Sequence, residues 1–175
     1  RKHWIHRVRW RSHLATLAMV LVALLAAHFW QTRNVPGGPA PDFSALAVST
    51  QDGAVLSLAQ WRAAHPGQPV ALHFWAEWCP ICKLEEHSIS RVASDWPVLT
   101  VAMQSGDVAA VRRTLAQRGL NWPTVIDADG ALAARYGFRA VPAFVAIDPA
   151  GRISATSVGY TSEIGMRLRL WWARL

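Results

Sequence analysis

The sequence contains only two cysteines among 175 residues, which excludes a framework of several structural disulfides. Acidic residues are missing from the first 33 positions, although six lysines and arginines lie there. Charged residues make up 17% of the chain, below the roughly 25% of ordinary soluble domains. The other twelve basic residues are nearly balanced by all eleven acids, so the net charge of +7 comes mainly from the N-terminal run. This distribution is typical of membrane orientation and argues against nucleic-acid binding.

An apolar run without charged residues, from residue 13 to residue 30, follows the basic residues. As a helix, its 18 residues would span roughly 27 Å, which is enough for the hydrocarbon core of a bilayer. We expect an uncleaved transmembrane anchor rather than a signal peptide, whose apolar region is shorter and ends at small residues. The preceding basic residues predict a cytoplasmic N-terminus. The expected location is therefore the bacterial inner membrane, crossed once, with the folded domain periplasmic or otherwise extracytoplasmic.

The chain is predicted to have four segments. They are a basic cytoplasmic segment (1–12), the anchor (13–30), an extended Pro/Gly linker (31–41) and a folded domain (42–175). Within the domain, apolar β-type runs alternate with helical patterns, which predicts an α/β fold with a central mixed β-sheet and helices on both faces. Two short strands around a turn at Asp52-Gly53 predict an N-terminal β-hairpin extension.

A closing helix is predicted over the last fifteen residues. Its apolar side chains recur at spacings of four, three and four residues, at Ile164, Leu168, Trp171 and Leu175. We expect this face to pack on the sheet. The alternative is an amphipathic helix that lies on a membrane surface.

Both cysteines lie in the stretch FWAEWCPICK, where two residues separate Cys79 from Cys82. A buried strand is predicted before Cys79 and a helix after it, so free backbone N–H groups and the helix dipole would stabilise a thiolate there. Cys82 falls on the same helical face, within reach of a disulfide. Pro80 suits a first helical turn, because its missing N–H would have no intrahelical partner there. We expect an exposed attacking thiol with a resolving thiol beneath it.

Other functions of such a cysteine pair fit less well. Haem attachment requires a histidine directly after the second cysteine, where Lys83 stands. Structural zinc usually takes four nitrogen or sulfur ligands, and the nearest downstream histidine, His87, is isolated. A structural disulfide across two residues would close too small a loop to constrain the unfolded chain. Redox chemistry without a cofactor is favoured, and an extracytoplasmic copper- or zinc-binding or metal-tolerance protein remains the alternative.

The apolar strand and cysteine motif at residues 69–83, with AVPAF opening a later strand, resemble the thioredoxin superfamily. The resemblance covers most of residues 42–175 and points to the membrane-anchored TlpA-like branch, in particular the group of suppressor-of-copper-sensitivity protein D. It implies a thioredoxin-like protein disulfide oxidoreductase that acts on thiols and disulfides of partner proteins. It also implies a membrane redox partner that recharges the cysteine pair. The direction of electron flow is left open.

The resemblance implies roles for five residues around the disulfide. Cys79 would be the attacking cysteine and Cys82 the resolving one. Trp78 would lie beside the active site and contact substrates. Pro142 would follow a cis peptide bond and face the disulfide, and the backbone of Val141 would offer hydrogen bonds to an extended partner chain.

Further positions are expected to tune the site. Pro80-Ile81, between the cysteines, would set the reduction potential. His73 stands where many thioredoxins carry a buried aspartate, and we expect a buried neutral histidine, with proton handling as the alternative. Glu85, one helical turn after Cys82, either moves the proton of Cys82 or lies on a solvated helix face.

Overall fold

The structure is a computed structural model that describes residues 2–33, 37–48 and 54–175. The chain forms two compact units, residues 1–33 and residues 34–175. The first unit contains helix α1 (Lys2–Thr32), which runs through both the basic segment 1–12 and the apolar run 13–30. Among the residues described, no helix is both long enough and apolar enough to cross a membrane. The predicted transmembrane anchor at residues 13–30 is therefore not supported.

The second unit alternates strands and helices. In chain order they are β1 (Gly38–Pro39), β2 (Ser44–Leu46), β3 (Val55–Ser57), α2 (Leu58–Ala63), β4 (Val70–Trp75), α3 (Pro80–Ala93), β5 (Val98–Met103), α4 (Val108–Arg118), β6 (Thr124–Asp127), α5 (Ala131–Arg135), β7 (Ala143–Ile147), β8 (Arg152–Val158) and α6 (Glu163–Ala173).

A mixed six-stranded sheet lies at the centre of this unit, with the strand order β1-β8-β7-β4-β5-β6. Strands β4, β5 and β6 are parallel, whereas β7 and β8 form an antiparallel hairpin beside β4. Every residue of β4 is buried, and its side chains alternate between two hydrophobic cores, as the two-residue period of a strand requires. Helices α3 and α6 contribute to one core, and α2 and α5 contribute to the other. The predicted α/β fold with a central mixed sheet and helices on both faces is confirmed.

Two features near the start of this unit bear on the predicted hairpin extension and the predicted linker. Strands β2 and β3 pair in antiparallel fashion, which matches the predicted hairpin extension, and its turn at Asp52-Gly53 lies outside the described residues. Part of the predicted linker 31–41 is not an unpaired stalk, because β1 pairs with β8 and extends the edge of the sheet. The backbone N–H of Ala40 also donates to the carbonyl of Gly151 at 2.8 Å, so the backbone polar groups of this stretch find partners in the sheet edge.

Helix α6 packs on the sheet through the face opposite to the predicted one. The side chains that face the core are Met166, Leu170 and Ala173. The predicted packing residues Ile164, Leu168, Trp171 and Leu175 are all exposed, so this expectation was wrong. Both the buried and the exposed apolar residues recur at spacings of three and four residues. The helix therefore has two apolar faces, and only one of them packs against the sheet.

Candidate functional site

Cys79 and Cys82 are joined by a disulfide bond at the N-terminus of α3, just beyond the end of β4. Their Cα atoms are 5.3 Å apart. Cys79 is the N-cap residue of α3, and its Sγ accepts a hydrogen bond from the backbone N–H of Cys82 at 3.1 Å. Pro80 occupies the first turn, as its missing N–H allows. One sulfur therefore lies where free N–H groups and the helix dipole favour negative charge.

Both sulfur-bearing residues are buried, with 3% of Cys79 and 2% of Cys82 exposed. The expectation of an exposed attacking thiol was wrong, because the Sγ of Cys79 turns over the end of α3 and lies 3.6 Å from the carbonyl oxygen of Val141. Three exposed apolar side chains, those of Trp78, Ile81 and Leu84, lie close to the disulfide in the chain. Exposed apolar side chains thus lie on both sides of the nearly covered Cys79 in the chain.

The loop that contains Val141 and Pro142 reaches the disulfide from a distant part of the chain. The peptide bond between these two residues is cis. Pro142 is buried and directly precedes β7, the strand that pairs with β4. Its carbonyl accepts a hydrogen bond from the N–H of Gly159 at 2.8 Å, which ties this loop to the end of β8. The sheet therefore brings Val141 beside Cys79 across 62 residues of sequence.

Trp78 directly precedes the disulfide and is 58% exposed. Its Nε1–H donates to the carbonyl oxygen of Gln104 at 3.1 Å. Gln104 directly follows β5, which lies parallel to β4. The chain at the end of β5 therefore holds Trp78, which follows β4. The indole is thus fixed at one end while most of its ring surface remains open.

Glu85 lies one turn after Cys82 on α3 and is buried, which excludes the alternative of a solvated helix face. The backbone N–H of Thr161, just before α6, donates to its carboxyl group. Burial raises the pKa of Glu85 to about 7, and the hydrogen bond from Thr161 opposes part of this shift. A carboxyl group that changes charge near neutral pH therefore lies on the same helix as both cysteines.

His73 lies in the middle of β4 and is also buried. Neither ring nitrogen has a hydrogen-bond partner in the part of the chain that the structure describes. The ring meets that of Trp122 edge-on, with 6.1 Å between the ring centroids. Burial without a partner lowers the pKa of His73 to about 3, so the imidazole is neutral at physiological pH.

Within residues 2–33, 37–48 and 54–175, no group of three or more His, Cys, Asp or Glu side chains is arranged to hold a metal ion.

Two residues near the site were missed from the sequence. Leu84 was assigned no role in the site from the sequence, but 71% of it is exposed. Thr161 gave no sequence signal, because its contact with Glu85 joins residues 76 positions apart. The signal for Leu84 was available, since a wholly buried arc on α3 is already supplied by Cys82, Ile89 and Val92.

Comparison with known proteins gives consistent similarities. The AhpC/TSA family matches residues 36–156. The soluble secreted antigen MPT53 of Mycobacterium tuberculosis is 34% identical over 135 residues, which cover 73% of each chain. The sporulation thiol-disulfide oxidoreductase A of Bacillus subtilis is 27% identical over 155 residues, covering 85% of this chain and 90% of that protein. A solved secreted disulfide oxidoreductase of M. tuberculosis, homologous to Escherichia coli DsbE, superposes with a TM-score of 0.60 at 30% identity, covering 74% of this chain and 94% of that one.

These similarities correct the predicted location. Two of the similar proteins are named as secreted, and no described helix can cross a membrane. The prediction of a single-pass inner-membrane protein was therefore wrong. The narrower grouping with suppressor-of-copper-sensitivity protein D stays a prediction.

Proposed function

The chain belongs to the AhpC/TSA family and is a thiol–disulfide oxidoreductase with a thioredoxin-like fold, and from this premise we propose that Cys79 and Cys82 exchange disulfides with partner proteins. The observation that carries the proposal is the disulfide between these two residues at the N-terminus of α3. A thiolate at this place is stabilised by the helix, and a second thiol one turn later can close the internal disulfide.

The proposed exchange has two steps. The thiolate of Cys79 attacks a disulfide of the partner, forms a mixed disulfide and releases one partner thiolate, which takes up a proton. The thiolate of Cys82 then attacks the Sγ of Cys79 and releases the second partner sulfur as a thiol. Two electrons pass from the cysteine pair to the partner, and the pair ends as the Cys79–Cys82 disulfide. In reverse, the same steps oxidise a partner dithiol, and a separate redox partner restores the starting state of the pair.

Protein substrates are proposed to bind at the apolar surface around the disulfide. Support comes from the exposed side chains of Trp78, Ile81 and Leu84, which offer apolar contact area beside a nearly covered sulfur. The carbonyl oxygen of Val141, 3.6 Å from the Sγ of Cys79, is positioned to accept a hydrogen bond from an extended partner segment. A partner held there would have its own sulfur close to Cys79.

Glu85 is proposed to accept the proton of Cys82 when that thiol attacks the mixed disulfide. Its position one turn after Cys82 and its pKa of about 7 support this role, because a general base works best when its pKa lies near the operating pH. His73 is proposed to remain neutral in the core. Its pKa of about 3 makes it a weak base at neutral pH. Pro80 and Ile81 remain the predicted determinants of the reduction potential.

The proposal is tested by reduction of insulin with dithiothreitol as the electron donor. Wild type is expected to accelerate insulin reduction, and Cys79→Ser and Cys82→Ser are each expected to lose the acceleration. Because each substitution also removes the disulfide, wild type with a reduced pair is the matched reference for folding, measured by its unfolding midpoint. Full acceleration by a folded Cys79→Ser protein would contradict the proposal.

A further inference from the structure

Helix α6 exposes a continuous apolar surface, here called the α6 stripe. It consists of Ile164, Leu168, Trp171, Trp172 and Leu175, each between 53% and 83% exposed. At 3.6 residues per turn, these five side chains fall within an arc of about 100°. Large apolar side chains scattered singly on a surface need no explanation, but five that share one helix face indicate an interaction surface.

The stripe is not needed to hold α6 in the fold. The opposite arc of the helix, formed by Met166, Leu170 and Ala173, is buried and joins the core on the α3 side of the sheet. Only the buried arc packs against the second unit. The exposed arc is therefore free for an interaction outside this unit.

Basic residues outnumber acidic ones beside the stripe. Arg174 flanks one edge of the stripe and Arg169 flanks the other, by the same helical periodicity. Arg167 lies next to Arg174 on the helix face, but its charge is offset by two carboxylates. No acidic residue follows Glu163 in the sequence. The nearby carboxylates of Glu163 and Asp95 are already paired with Arg167, at 2.9 and 2.6 Å, and Glu163 also pairs with Arg91 at 2.6 Å. A ligand on this face therefore meets apolar side chains bordered by positive charge.

We propose that the α6 stripe binds the surface of an anionic phospholipid bilayer, with the helix lying in the plane of the interface and not crossing it. Tryptophans are favoured at the depth of lipid headgroups, because the ring is apolar and the N–H is polar. Arginines at the edges of an apolar helix face can reach lipid phosphates, which is the pattern of interfacial amphipathic helices. The complementary charges of the arginines and the lipid phosphates therefore favour an anionic bilayer as the partner of the stripe.

A second copy of the chain fits the same surface less well. In a two-fold contact the same patch meets itself, so the arginines beside the stripe of one copy would approach those of the other. The acidic residue of α6, Glu163, is already paired with Arg91 and Arg167. Like charges brought together at an interface weaken association.

The disulfide and the tryptophans of the stripe lie at different ends of the pair formed by α3 and α6. Helices α3 and α6 run side by side in the same direction, since Glu85 meets Thr161 near their starts and Asp95 meets Arg167 further along. Cys79 lies at the start of α3, which is about 21 Å long at 1.5 Å per residue. The two tryptophans of the stripe lie beyond Arg167, towards the other end. The redox pair would therefore lie towards the opposite end of the helix pair from the two tryptophans.

The experiment is residue-level hydroxyl-radical footprinting of the full chain by mass spectrometry. The protein is mixed with phosphatidylcholine vesicles in which one third of the lipid is phosphatidylglycerol, with pure phosphatidylcholine vesicles, or with no vesicles. Oxidation of Trp171 and Trp172 is expected to fall with the anionic vesicles alone. Trp78, exposed beside the disulfide, serves as the internal reference and is expected to remain oxidised.

Two charge-reversal variants test the specificity. Arg174→Glu is expected to weaken the vesicle-dependent protection by roughly fivefold or more, given the free energy of one basic residue near an anionic surface. Arg152→Glu, at an exposed position at the start of β8, changes the net charge by the same amount and is expected to leave the protection unchanged. Equal oxidation of Trp171 and Trp172 with and without anionic vesicles would overturn the proposal, as would an equal effect of both variants. Protection that appears without vesicles and grows with protein concentration would assign the stripe to a second copy instead.

Discussion

The backbone N–H of Thr161 donates a hydrogen bond to the buried carboxyl group of Glu85, which joins the segment before α6 to α3 one turn after Cys82. This contact gives the carboxylate a partner in the core, but burial is the larger effect and raises the pKa of Glu85 to about 7. The side chain therefore changes charge in the pH range in which thiol–disulfide exchange takes place.

Glu85→Gln is expected to slow the resolution of the mixed disulfide and to flatten its pH dependence. In wild type, the resolution rate should rise through about pH 7, as Glu85 becomes charged and can accept the proton of Cys82. Loss of a general base typically costs about a hundredfold or more in rate. The measurement is stopped-flow kinetics of Cys82 attack from pH 5 to pH 9. Glu77→Gln, an exposed carboxylate near Trp78, is the matched control, and an unchanged profile in Glu85→Gln would remove the proton-transfer role.

The same carboxyl group predicts how stability depends on pH. Because the folded-state pKa of Glu85 is raised from 4.5 to about 7, the folded protein binds the proton more tightly. Its contribution to stability is therefore complete below about pH 4.5 and is lost as the pH rises to about 7. The loss amounts to at most about 3 kcal/mol, from 1.36 kcal/mol per pKa unit. Urea unfolding across this window should show the decrease in wild type and a smaller one in Glu85→Gln.

His73→Leu is expected to stabilise the protein without lowering its activity. Burial of an imidazole with no partner costs free energy, so its replacement by an apolar side chain should raise the free energy of unfolding at pH 7 by about 1 kcal/mol or more. The folded-state pKa of about 3 lies below the ordinary 6.5, so wild type should also lose stability as the pH falls from about 6.5 to 3. Urea unfolding measures both effects. A large loss of exchange activity in a stable His73→Leu protein would show a proton-handling role instead.

Trp78→Ala is expected to reduce activity on proteins more than activity on small disulfides. The exposed indole offers contact area to a protein substrate, whereas a small disulfide reaches Cys79 without it. We expect kcat/KM for insulin to fall by about tenfold, corresponding to roughly 1.4 kcal/mol of lost contact. Glutathione disulfide, a small substrate, provides the comparison on the same variant. Equal losses for both substrates would mean that Trp78 acts on the disulfide itself and not on the protein partner.

The sheet could be predicted from the sequence because its strands are locally encoded. Val70–Trp75 is a continuous apolar run rich in strand formers, and the structure buries every residue of it. The position of the cysteines at a helix start follows from the same run, together with Pro80 in the first turn. Each of these signals needs only neighbouring residues.

Features that depend on distant packing could not be predicted in the same way. Two apolar arcs on α6 satisfy helical periodicity equally, and only the sheet determines that Met166 faces inward while Leu168 faces outward. The burial of Glu85 likewise depends on the chain near Thr161, which no local pattern identifies. The covering of Cys79 depends on Val141, 62 residues away.

The central claim is that Cys79 attacks and Cys82 resolves, and trapping of the mixed disulfide tests it most directly. The Cys82→Ala and Cys79→Ala proteins are each incubated with oxidised insulin and analysed by non-reducing mass spectrometry. The account predicts that Cys82→Ala accumulates a covalent complex with an insulin chain through Cys79, and that Cys79→Ala forms little or none. A stable complex through Cys82 in the folded Cys79→Ala protein, with none in Cys82→Ala, would contradict it.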